Sequence, residues 1–246
     1  MTPVIRRSAS AGELAELVAG TLVATLVAVQ AEGRVPSVAL TGGTIAARIH
    51  EAVAGSPDAA KVDWSRVDVW FGDERFVSAD DPDRNAGQAG VLLDRLPFDR
   101  ARVHPMPAAD DPHGSGALGD AAAAYGDELR SQGDGTFDVV MLSVGPDGHV
   151  ASLFPGSPQL DVHDTIAVPV TDSPKPPPER ITLTFESLNR SREVWMLVSG
   201  AAKAEIAARA LATGADRPDV HELPAVGVRG QERTVWFLDE DAAAQL

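Results

Sequence analysis

The chain has 246 residues, 44% of them hydrophobic and 23% charged, an ordinary globular composition and long enough to bury about 70–75% of its extended-chain surface. It contains no cysteine, which excludes a disulfide scaffold, thiolate-bound zinc, iron–sulfur clusters and a cysteine nucleophile. Lysine and arginine number 21 against 36 aspartates and glutamates, a formal charge of −15 that repels phosphate backbones and anionic membranes, so neither nucleic acid nor membrane is expected as a partner.

Leu14, Val18, Leu22, Leu26 and Val29 recur at helical spacing, and Ser10 with Glu13 fits a capping box. Glu16, Gly20, Thr21 and Thr25 interrupt this stretch, so it reads as an amphipathic helix and not as a membrane span or signal peptide, and a cytoplasmic location is expected. Residues 37–40 predict a strand ending in Thr41-Gly42-Gly43-Thr44, with a helix over 45–53. Residues 67–71 predict a buried strand followed by Gly72-Asp73-Glu74-Arg75. Helices are expected over 85–96 and 117–130, and a strand over 137–144 that ends in Gly145-Pro146-Asp147-Gly148-His149. Further strands follow at 166–170, 181–184, 194–198 and 234–238, with a helix over 201–212 between the last two. This alternation predicts an α/β fold built on a mostly parallel sheet with helices on both faces. The least regular stretches, 104–116 and 171–179, are neither long nor polar enough for a linker, so residues 1–246 are expected to form one domain.

In open α/β sheets ligands bind beyond the carboxyl ends of the strands, which directs attention to three segments. Thr41-Gly42-Gly43-Thr44 is either a phosphate cradle at a helix N-terminus or an ordinary tight turn. Gly72-Asp73-Glu74-Arg75 sets two carboxylates and an arginine after a buried strand, the alternative being a solvated loop. Gly145-Pro146-Asp147-Gly148-His149 is the sharpest feature, because its glycines permit a tight loop in which Asp147 can fix the tautomer of His149 for general-base work. Asp81-Pro82-Asp83-Arg84-Asn85 hints at a calcium loop but lacks the glycine and glutamate that such a loop requires. Gly114-Ser115-Gly116-Ala117-Leu118-Gly119 matches a dinucleotide fingerprint literally, without the preceding strand, and is read as the start of a helix. No metal-ligand spacing occurs among the His, Asp and Glu residues, and no nucleophile elbow or P-loop is present; neither cofactor nor metal is expected.

In order and spacing these segments, with Trp70-Phe71-Gly72-Asp73-Glu74-Arg75-Phe76-Val77, Pro176-Pro177-Pro178-Glu179-Arg180-Ile181-Thr182 and Gly200-Ala201-Ala202-Lys203-Ala204-Glu205, resemble the 6-phosphogluconolactonase family. The resemblance implies a Rossmann-like fold shared with glucosamine-6-phosphate deaminase, and hydrolysis of 6-phospho-D-glucono-1,5-lactone to 6-phosphogluconate in the oxidative pentose phosphate pathway. The expected partner is this small phosphosugar lactone, bound by a monomer or small homo-oligomer. On this reading His149 is the general base and Asp147 orients it. Arg75 binds substrate or stabilises negative charge, and Asp73 holds Arg75 or sugar hydroxyls. Gly42, Gly43 and Thr44 offer amides to the phosphate, over which Arg180 and Lys203 close. An isomerase or deaminase of the same fold is disfavoured by Ser152-Leu153-Phe154-Pro155, where those enzymes carry a glutamate, and by Arg75, where they tend to carry an aromatic residue. A non-catalytic sugar-phosphate sensor would need an output module, and the residues before the first predicted strand read mostly as one helix.

Overall fold

The computed structural model describes residues 2–111, 117–133 and 135–246; His113 and the start of the fingerprint-like glycine run lie outside them. The chain opens with β1 (Val4–Ser8) and α1 (Ala11–Ala31), followed by β2 (Ser37–Leu40) and α2 (Thr44–Gly55). The Ser10 hydroxyl accepts from the Glu13 amide at 3.2 Å, and Glu13 Oε2 accepts from the Ala9 amide at 3.2 Å, a reciprocal cap whose return leg reaches one residue further than expected. Next come β3 (Asp68–Phe71), β4 (Asp73–Arg75), α3 (Asn85–Gln88), α4 (Gly90–Arg95), α5 (Leu118–Gly133) and β5 (Val139–Ser143). The chain ends with β6 (Ala167–Val170), β7 (Arg180–Leu183), α6 (Phe185–Asn189), β8 (Glu193–Val198), α7 (Ala204–Leu211) and β9 (Arg233–Asp239).

The main sheet has six strands in the order β1-β9-β8-β5-β2-β3, every neighbouring pair parallel. Alternation along each strand divides the core in two. Trp70, Val140, Leu142, Met196 and Trp236 join Tyr125 and Leu129 of α5 and Ile206 of α7. Val69, Phe71, Met141, Trp195 and Phe237 join Leu14, Leu22 and Leu26 of α1 and Ile49 of α2 on the other face. The expected parallel sheet with helices on both faces is borne out. Helix α1 is long and apolar enough to cross a membrane by length and composition, but here its apolar stripe is buried against the sheet and α2.

Three expectations change. Strands 166–170 and 181–184 do not join the main sheet; as β6 and β7 they pair antiparallel with each other and with β4 in a second, three-stranded sheet. An apolar run reads alike in either setting, and the connection decides: parallel neighbours need a long crossover, whereas 171–179 carries no helix. Pro169, which lacks an N–H, sits in the edge strand β6, where a ladder tolerates it. The helix expected over 85–96 breaks at Ala89–Gly90 into α3 and α4, and the one expected over 201–212 begins as a 3-10 turn, Ala201–Lys203. β1 escapes a hydrophobic reading because as an edge strand it is mostly exposed.

At the opposite edge, β3 is closed by side chain and loop. The buried Tyr125 hydroxyl accepts from the Phe71 amide at 2.9 Å and donates to the Phe71 carbonyl at 3.1 Å. The His104 amide donates to the Val69 carbonyl at 2.8 Å.

Candidate active site

β2 has β3 on one side and β5 on the other, so the chain reverses direction across the sheet at β2 and β5, and a crevice opens beyond their carboxyl ends. The loop after β5 closes on itself: the Gly145 amide donates to the His149 carbonyl at 2.9 Å and the Gly148 amide to the Gly145 carbonyl at 3.0 Å. The His149 ring folds back over Gly145, where any Cβ would overlap its Nδ1 and Cε1. Only glycine permits that approach. Nδ1 is hydrogen-bonded to Asp147 Oδ1, which fixes the proton on Nδ1 and leaves the lone pair on Nε2. The ring packs on Phe154, centroids 4.7 Å apart. Burial pushes the Asp147 carboxyl up, but the hydrogen bond and charge of His149, with the charge of Lys175, outweigh it and hold the group well below the usual carboxylate range.

β4 carries the second cluster, and strand alternation splits its carboxylates. Asp73 accepts from Ser152 Oγ at 2.6 Å and from Asn85 Nδ2 at 3.1 Å. Arg75 donates from one guanidinium nitrogen to Asn85 Oδ1 at 2.9 Å and to the Asp83 carbonyl. Asn85, 2% exposed, thus holds both functional side chains of β4. Glu74 turns the other way, 1% exposed, and accepts from the amides of Arg75, Asn85 and Ala86 at 2.8, 2.8 and 2.9 Å, with the Arg84 guanidinium 3.8 Å away. Burial raises its carboxyl, against the pull of Arg84 and those amides. Glu74 therefore acts as the anchor of α3 and of the Arg75 backbone.

The third side is cationic. Asp239 at the end of β9 accepts from Ser199 Oγ at 2.5 Å and from the Gly200 amide at 3.0 Å, fixing the turn that presents Lys203. Burial lowers the Lys203 ammonium, and the charge of Lys175 adds to that. Gly42, Gly43, Asp73, Arg75, Asp147's partner His149, Arg180 and Lys203 surround a cavity of about 330 Å³. Thr44 lines an adjoining cavity of about 390 Å³, which shares Gly43, Ser143 and Lys203 with the first and adds Arg48. All nine residues singled out from the sequence therefore gather at one crevice.

Two of them are differently engaged than expected. The Gly43 amide already donates to Gln88 Oε1 at 3.1 Å. Arg180, 4% exposed, donates from Nε to the Pro177 carbonyl at 3.2 Å and from one terminal nitrogen to the carbonyls of Lys175 and Pro176 at 2.9 and 3.3 Å. It braces the loop between β6 and β7, and among the described residues its other terminal nitrogen makes no hydrogen bond. Sequence reasoning missed Lys175, Asn85, Gln88 and Arg48. Lys175 lies in a proline-rich stretch with no period, and Asn85 was weighed only within a failed calcium pattern. Neither carries a local signal of its contacts across the fold.

A model of the family described as glucosamine-6-phosphate isomerases/6-phosphogluconolactonase matches residues 9–236. A 6-phosphogluconolactonase of Streptomyces coelicolor is 45% identical over 95% of this chain and 90% of its own. The chain belongs to this family. Among solved structures, the 6-phosphogluconolactonase of Trypanosoma brucei superposes with a TM-score of 0.85 at 27% identity, covering 100% of this chain and 99% of that one. A monomeric glucosamine-6-phosphate deaminase superposes with a TM-score of 0.80 at 17% identity, covering 99% and 100%, a likeness of fold alone. The deaminase thus shares the architecture.

Proposed function

We propose that this protein hydrolyses 6-phospho-D-glucono-1,5-lactone to 6-phospho-D-gluconate, the second step of the oxidative pentose phosphate pathway, by general-base activation of water with no covalent intermediate. Relatives named for that reaction match nearly the whole chain. The observation that carries the mechanism is the Asp147–His149 pair, set into a crevice whose other walls present Asp73, Arg75 and Lys203.

Among the described residues no hydroxyl side chain is hydrogen-bonded to His149, so water is the nucleophile. His149 Nε2 takes a proton from water as the water oxygen bonds to C1. The carbonyl π pair moves onto its oxygen, where Arg75 is placed to stabilise it. The oxyanion then collapses, the C1–O5 bond breaks, and the imidazolium returns its proton to O5. Lactone plus water gives the hydroxy acid, whose carboxyl ionises and releases one proton at neutral pH. Asp147 holds the ring through both transfers, a positioned base of this kind contributing about 10²–10⁴-fold. The phosphate lies toward Lys203 and the N-terminus of α2, where the amides of Gly42 and Thr44 and the dipole favour an anion; Gly43 joins them when Gln88 turns aside.

The test is proton release from lactone generated in situ from glucose 6-phosphate, with spontaneous opening subtracted. The parent protein accelerates release, and His149→Ala lowers kcat by about 10²–10⁴-fold with KM little changed. A folded His149→Ala protein with near-parental kcat removes His149 from the role and points to Asp73 instead.

A further inference from the structure

The loop between β6 and β7 brings a residue into the crevice that the mechanism above does not use. Lys175 Nζ lies 3.1 Å from His149 Nδ1 and donates to Asp147 Oδ1 at 3.4 Å. The loop is not left to chance. The buried Arg180 guanidinium donates to the Lys175 carbonyl itself at 2.9 Å, and to the next two carbonyls, while the same guanidinium lies 5.7 Å over the Phe154 ring that supports His149. Ser173 closes the turn, its hydroxyl donating to the Lys175 carbonyl at 2.9 Å and accepting from the Lys175 amide at 3.2 Å. A lysine that needed only solvent would not require a buried arginine and a serine to fix its backbone.

We infer that Lys175 is a positioning residue that tunes His149, its ammonium opposing the proton affinity that Asp147 confers on the imidazole. The inference rests on the assignment of His149 as the base. A carboxylate beside an imidazole stabilises the imidazolium and makes it hold a proton between turnovers. A cation at hydrogen-bonding distance from the same ring works in the other direction. The other charged groups facing the ring are Asp73 and Arg75 from β4, Arg180 from β7 and Lys203 after β8. None of these is hydrogen-bonded to it among the described residues. Lys175 is thus the cation in direct contact with the ring, and its charge also contributes to the depression of Asp147.

The experiment titrates the His149 imidazole by NMR in the full-length protein without substrate, in the parent, Lys175→Met, Lys175→Gln and Lys175→Arg. With the cation removed, the His149 titration moves up by about one pH unit, the lower end of what a neighbouring charge does, and Lys175→Arg stays close to the parent. The acid limb of kcat/KM moves with it, so that activity near pH 6 falls about tenfold while activity at high pH is nearly kept. A His149 titration that is the same in the parent, Lys175→Met and Lys175→Gln overturns the inference, as does one that moves down. A moved titration with an unmoved acid limb leaves the coupling standing and instead removes His149 from the role of base.

Discussion

On the proposed mechanism His149 and Lys203 divide the work of one crevice, and their variants separate binding from chemistry. Among the described residues Lys203 makes no hydrogen bond to Asp147 or His149, and it lines both adjoining cavities, one of them with Thr44 at the start of α2. Lys203→Ala therefore raises KM for the phosphorylated lactone about ten- to a hundredfold, the worth of one charge-assisted hydrogen bond, with a smaller change in kcat. Hydrolysis of unphosphorylated gluconolactone is a poor reaction for the parent and is little altered by the change; equal proportional losses on both substrates would mean that Lys203 acts on the chemistry or the fold. At this scale the sequence was informative where one short segment holds both partners. Asp147 and His149 are two positions apart in a loop with Gly145 and Gly148, so the pair could be read directly. Lys175 reaches the same ring from a loop 26 residues away, and Gln88 reaches the Gly43 amide from 45 residues away. Those contacts are made by chain topology, to which residue types alone give no access.

Among the elements, the turns after β2 and β5 bear the site, and Gly145 of the loop after β5 contrasts with Gly119 of α5. At Gly145 a methyl group would overlap the His149 ring, so Gly145→Ala parts the Asp147–His149 pair. Its kcat falls toward that of His149→Ala, with about 1–3 kcal/mol of lost stability from overpacking. Gly119 lies in α5 with open space where its Cβ would stand, and Gly119→Ala raises stability by about 0.5–1 kcal/mol with activity unchanged. Urea unfolding and steady-state kinetics on the two proteins check both outcomes. Strands β2, β3, β5, β8 and β9 of the main sheet were legible because each is a short apolar run. β4 was not, because Asp73, Glu74 and Arg75 are polar in every position and become a strand only through pairing with β7. The antiparallel setting of β6 and β7 was hidden for another reason, since Val168, Val170, Ile181 and Leu183 read as strand residues in either setting.

For the molecule as a whole, one contribution to acid stability comes from a buried histidine that does not line the crevice. His50 of α2 is 1% exposed, and burial pushes its imidazole down to about 4, against a weaker upward pull from the Gln88 backbone. The unfolded chain protonates this residue near its ordinary value of about 6.5 while the folded protein keeps it neutral. Its contribution is therefore complete above about pH 6.5 and is lost as pH falls toward 4, by about 3 kcal/mol in all. His104 has the opposite sign: burial lowers it, but Asp68 and Glu128 outweigh that and raise it, so its contribution is present in acid and lost as pH rises through its folded value. Comparing the parent with His50→Leu isolates the first effect. The drop in urea midpoint between pH 6.5 and 4 is smaller in the variant, and an unchanged drop would assign acid lability to other groups. The two-faced parallel sheet was readable from the alternation of strands and helices, whereas the second sheet and the edge strand β1 were not. That sheet has two ends, and Tyr125 gives them different fates. Burial pushes its phenol well above the usual range, so the hydroxyl keeps the proton with which it meets Phe71 as donor and acceptor at once. The Tyr125 hydroxyl and the His104 amide thereby cap Phe71 and Val69 at this edge, so another chain arriving at β3 meets backbone groups that already have partners. Growth by strand addition is left to the β1 side, where Arg6 and Arg7 stand guard as like charges against a second copy.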